Sequence, residues 1–134
     1  MKKLLLIALL GSVYGTVINV PSEYDTIQEA IDAAVDTDTV LVDQGTYYEN
    51  LIIQKNITLT SNAIYDDLTD WAERNTFTGE FEVLNENIYS TIIDGSADTN
   101  GDSLQSVIFI NAPECIEPII FGFTITGGYG TATI

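Results

Sequence analysis

At 134 residues the chain has room for one domain. Its 46% hydrophobic content is that of a globular protein and too high for a disordered one. Twenty acidic residues face four basic ones, giving a net charge of −16, and there is no histidine. That balance excludes the clustered Lys and Arg that bind nucleic acid or anionic lipid, and the missing histidine excludes serine–histidine and cysteine–histidine nucleophiles.

Residues 1–15 read as an export signal. Lys2 and Lys3 are a positive head, and Leu4 to Leu10 is an apolar core far short of the roughly 20 residues of a membrane span. Val13 and Gly15 put small residues at −3 and −1 of a cleavage site before Thr16. The expected location is therefore outside the cell or at its surface. Removal of the signal leaves Lys55 and Arg74 as the side-chain cations against all twenty carboxylates. Such a surface suits solubility first and cation binding second. Cys115 is the single cysteine, so no intrachain disulfide forms, and a buried thiol is expected.

Residues 16–134 are read as one unit. Thr16 to Val20 is a β-branched run stopped by Pro21, hence a strand. A helix follows over residues 26–35. Thr26 and Glu29 have capping-box spacing, and Ile27, Ala30, Ile31 and Ala34 form one apolar stripe, with Gln28, Glu29 and Asp32 on the outer face. Asp36 to Asp38 breaks the period. Short runs rich in Ile, Val, Thr and Phe then take over at residues 39–42, 51–53, 57–60, 91–93, 107–110 and 119–126. Gly, Asn and Pro punctuate them, but no two-residue hairpin turn joins neighbours, which argues against a meander.

Residues 63–88 interrupt this rhythm. Asp66, Asp67, Asp70, Glu73, Glu80, Glu82 and Glu86 alternate there with Tyr65, Leu68, Trp71, Phe77, Phe81 and Val83. The stretch is too apolar for a disordered linker, so it is read as an excursion folded back over the core, with a helical turn near residues 68–72.

Several segments carry a resemblance when taken in order. They are Thr26 to Ala34, Asp38 to Val42, Gly45 to Asn50 and Lys55 to Leu59, then Thr91-Ile92-Ile93-Asp94-Gly95 and Gly122 to Gly128. Together they look like the opening of the pectin-lyase-like right-handed β-helix proteins. The likeness covers residues 16–61 and 90–129. It implies an all-β fold, the start of a right-handed parallel β-helix (solenoid) with a short capping α-helix, a Gly-Thr-Tyr turn in the first coil, and stacked interior ladders containing Ile57, Ile92 and Ile125. Stacked coils bury a continuous core that no single coil can bury, and a helix across the first coil covers an open edge. Six strand-like runs make about two coils where a repeat architecture needs three or more. Residues 131–134 are β-prone with no polar cap, so downstream coils of the same protein are the expected partner, the alternative being a cap supplied by a partner chain or a second copy.

Enzymes of that family include polysaccharide lyases, which use carboxylate-bound calcium with an Arg or Lys base, and polygalacturonases, which use aspartates with a histidine. Only Lys55 and Arg74 are at hand for the first chemistry, and the second lacks its histidine. Lys55 reads as a turn residue and Arg74 as a surface ion pair with Asp70 or Glu73. No catalytic residue is assigned. Asp94, Asp98, Asn100 and Asp102 place hard oxygen ligands in a Gly-bearing loop, a candidate calcium site or a solvated turn, outside the EF-hand frame. Tyr65, Trp71, Phe77 and Phe81 are candidate stacking residues for an extracellular polysaccharide, or glue for the excursion. The functional expectation is a non-catalytic β-helix segment with a structural, adhesive or carbohydrate-contacting role. The alternative is the N-terminal cap of a polysaccharide lyase or glycoside hydrolase whose active site lies in later coils.

Overall fold

The computed structural model describes residues 14–96, 106–111 and 115–129. Most of the expected export signal lies outside them. Among the described residues the chain is mainly β, with eleven strands and two short helices. Strand β1 (Val17–Val20) leads into helix α1 (Ile27–Ala33). Strands β2 (Thr39–Val42), β3 (Gly45–Tyr48) and β4 (Leu51–Ile53) make a first pass. Strand β5 (Thr58–Ser61) opens a second pass, which the excursion interrupts with β6 (Ala72–Arg74), β7 (Phe81–Val83) and helix α2 (Glu86–Ser90). The pass resumes with β8 (Thr91–Asp94) and β9 (Ile108–Ile110), and β10 (Ile119–Phe121) and β11 (Thr124–Thr126) form a third.

The passes lie on one another. The sheets run β1-β2-β5-β10, β3-β8-β11 and β4-β9, and every pairing within them is parallel. Backbone bonds tie one pass to the next: Thr39 N to Thr16 O at 2.8 Å, Thr58 N to Asp38 O at 2.9 Å and Ile119 N to Ile57 O at 3.0 Å. Leu51 N to Val107 O at 2.7 Å and Gly95 N to Thr126 O at 2.9 Å do the same for the other two sheets.

The register stacks like on like. Ile18, Val40, Leu59 and Ile120 are successive partners across the first sheet, and the first three are buried. Tyr47, Ile93 and Ile125 are partners across the second. Ile57, Ile92 and Ile125, expected as parts of stacked interior ladders, do not stack on one another. Ile57 precedes β5, while Ile92 pairs with Thr46 and Thr124, one residue out of step with Ile125 and so on the opposite face. Residues 45–48, expected as a turn, are a strand because their backbone pairs with β8. The apolar run 119–126 is two strands, since Gly122 takes φ +85° and turns the chain between them. A Cβ there would lie 2.7 Å from Ser61 Oγ.

Helix α1 packs against β1, β2 and β4 and buries Ile27, Ala30 and Ile31. At about 1.5–3 kcal/mol for each large aliphatic buried, Ile27 and Ile31 supply most of its docking energy. The helix is shorter than its apolar stripe: Ala34 leaves it with ψ 152°. Thr26 Oγ1 accepts from Glu29 N as the spacing predicts, but the Glu29 carboxylate takes the Thr26 hydroxyl and not an orphan N–H. The orphans at Ile27 and Gln28 belong to Glu49, whose two carboxylate oxygens accept them at 2.9 Å each. At the other end Lys55 Nζ donates to the carbonyls of Ile31, Asp32 and Ala34 at 3.0, 2.6 and 2.6 Å. An anion and a cation thus hold the two poles of the helix dipole. Gln28, expected on the outer face, turns to β4 instead. Its side-chain amide accepts from Ile52 N at 2.8 Å and donates to Ile52 O at 3.2 Å, pairing one residue of that strand's edge.

Candidate functional site

The excursion is built differently from its expectation. A 3-10 turn occupies Asn62–Tyr65, and β6 and β7 form an antiparallel hairpin in place of a helical turn near residues 68–72. The hairpin closes where Leu84 N and Asn85 N both reach Trp71 O, at 2.8 and 3.2 Å. Its base is tied to α2 by Asp66, whose Oδ2 accepts from Asn85 Nδ2 at 2.9 Å and Asn87 Nδ2 at 2.8 Å. These two donors hold the Asp66 carboxyl below its usual range.

Hairpin and sheet enclose two grooves of interest. One, of about 660 Å³, is lined by Asn75, Glu80, Phe81, Glu82, Val83, Tyr89 and Thr124. It combines two exposed aromatic rings with an amide and two carboxylates, the mixture of stacking faces and hydrogen-bonding groups that a sugar requires. The second, of about 340 Å³, is mostly apolar, and Leu68, Trp71, Ile88, Phe121, Gly122 and Phe123 line it. The four expected stacking residues are therefore distributed: Phe81 faces the first groove, Trp71 the second, and Tyr65 and Phe77 neither. Phe77 is 98% exposed at the hairpin's tip, so it glues nothing. Tyr89 was missed in the sequence because its role depends on a five-residue helix too short to show a period.

Arg74 behaves differently from its expectation. Its Nε donates to Gly79 O at 3.3 Å, and its guanidinium lies 5.8 Å from the centre of the Phe81 ring. It also lines a polar groove of about 260 Å³ with Glu73, Asn75, Thr76 and Glu82. Both long cations thus have structural work: Lys55 on the α1 carbonyls and Arg74 within the hairpin.

Of the candidate calcium ligands, Asp98, Asn100 and Asp102 lie outside the described residues. Asp94 ends β8, and its Oδ1 accepts from Ser96 N at 2.9 Å, closing a local turn. Gly127 makes room for it, since a Cβ there would come 2.1 Å from that oxygen. No group of three or more Asp, Glu, His or Cys that could hold a metal occurs among the described residues. Cys115 is exposed, against expectation, because it falls in the connection between β9 and β10 and not in a sheet. No described helix is long and apolar enough to cross a membrane. Compared with models of protein families, with curated proteins and with solved structures, the chain matches none of them.

Proposed function

We propose that the chain is the opening part of an exported right-handed parallel β-helix whose work is structural, adhesive or carbohydrate-contacting and not catalytic. The observation that carries this reading is the return of successive passes of the chain to the same parallel sheets, with a helix clamped over the first pass. Right-handedness follows from the general rule for parallel crossovers. At the far side, β9, β10 and β11 have no further neighbour among the described residues and leave Ile110, Ile119 and Ile125 exposed. Such an edge suits the addition of another parallel pass, that is, downstream coils of the same protein. The engagement of Lys55 and Arg74 in structure speaks against a lyase base in these residues.

The carbohydrate part of the reading rests on the two grooves beside the hairpin. Phe81→Ala and Trp71→Ala are each expected to reduce retention on insoluble polysaccharide by tenfold or more, on the order of one lost stacking contact. Their circular dichroism should match that of the parent chain. Wild-type retention by both variants would remove carbohydrate from the proposal and leave the structural role.

A further inference from the structure

The residue before β1 meets a buried acid. Thr16 is fixed by its carbonyl, which accepts from Thr39 N at 2.8 Å, and its own nitrogen lies 2.7 Å from Asp38 Oδ1. The second oxygen of that carboxylate takes Val35 N at 2.9 Å. Asp38 is only 5% exposed, while Thr16 is open to solvent. On the other side of the Thr16 nitrogen stands Gly15, where no side chain fits: a Cβ would lie 1.7 Å from Thr37 O and 2.5 Å from its carbonyl carbon. An export endopeptidase requires a small residue before the bond it cuts, and Gly15 supplies one.

We propose that the Gly15–Thr16 bond is a maturation site, and that the Asp38 carboxylate is placed to capture the amine released on Thr16 as a buried-end ion pair. The inference rests on the export reading above. Hydrolysis adds one water across the bond. The Gly15 carbonyl carbon takes the hydroxyl, the Thr16 nitrogen takes the hydrogen, and the acid's proton then passes through solvent to the amine, leaving a carboxylate and an ammonium. Cleavage on export precedes folding. Folding then brings the ammonium to an acid already polarised for it: the Val35 and Thr16 N–H groups hold the Asp38 carboxyl below its usual range, with a smaller contribution from Lys55. A neutral N–H donor becomes a charged one, which roughly doubles the strength of such a bond.

The sign of the pH dependence follows. An ammonium facing a carboxylate has a folded pKa above the ordinary α-amino value of about 7.7–8.0, so its stabilisation is complete below that value and is lost as pH rises through the folded pKa. The other charged groups on the adjoining segments are Lys55 and Asp36, whose Oδ1 accepts from Asn56 N.

The full chain should be produced in a secreting host and in parallel without export, retaining Met1. Intact mass of the secreted protein is expected to correspond to a start at Thr16. Its melting temperature should fall by roughly 5 °C between about pH 7 and 9.5, while the unprocessed chain and secreted Asp38→Asn stay flat over that range. If Asp38→Asn does not fold, acylation of the Thr16 amine in the parent protein supplies the second reading, and it should be several-fold slower at about pH 7.5 than for an unfolded control. A start at another residue would overturn the maturation site and the export reading's cleavage point together. A Thr16 start with a flat pH profile, or with acylation as fast as in the control, would overturn the ion pair and leave export standing.

Discussion

Gly127 illustrates how much one missing methyl group decides. Its φ of +74° lies in the left-handed region, and a Cβ would meet Asp94 Oδ1 at 2.1 Å and Ser96 N at 2.8 Å. Gly127→Ala therefore incurs both a conformational cost and a steric one, and denaturant unfolding should show a loss of about 2–3 kcal/mol. A loss below about 0.5 kcal/mol would mean that the turn after Asp94 is not as described. Residue roles were legible from sequence where the partner is near. Thr26 capping Glu29 N is a three-residue relation, and spacing reveals it. Glu49, Lys55 and Gln28 act on partners 21 to 24 residues away, so no local pattern announces them.

At the scale of elements, α1 is the clearest case of a short segment held by its surroundings. Seven residues are too few for a helix to persist alone. Burial of Ile27 and Ile31 and the two charged end groups supply what propensity does not. Lys55→Met keeps the stem and removes the three donations to the α1 carbonyls. It should cost about 1.5–3 kcal/mol, read as a lower urea midpoint at unchanged slope. The hairpin is the opposite case. Glu73 stands directly across from Glu82, a like-charge pair that strains the ribbon. Glu82→Thr should slow amide exchange in β6 and β7 by a few-fold, corresponding to about 0.2–1 kcal/mol, without changing exchange in β2 or β5. Unchanged hairpin protection would show that the two carboxylates are too well solvated to repel. Helix α1 was legible because its apolar stripe repeats. The hairpin and α2 were not, because three-residue strands and a five-residue helix are shorter than the window in which a period can be recognised.

For the molecule as a whole, the β-branched runs announced strands and the family resemblance implied that they run parallel; all but one of the pairings are parallel. Their register was not announced, since the side chains that stack are fixed by pairings between strands 19 to 61 residues apart. Ile57, Ile92 and Ile125 look alike in sequence and end in three different environments: buried, half-buried and 51% exposed. The grooves follow from the same fact, because each is lined by the excursion together with residues of α2 or the third pass. Successive passes lie in parallel register, and scalar couplings across hydrogen bonds in the isotope-labelled chain report that register bond by bond. Couplings are predicted from Thr39 N to the Thr16 carbonyl, from Thr58 N to the Asp38 carbonyl and from Ile119 N to the Ile57 carbonyl. Antiparallel Hα–Hα contacts among β2, β5 and β10, or couplings shifted by one residue, would contradict it.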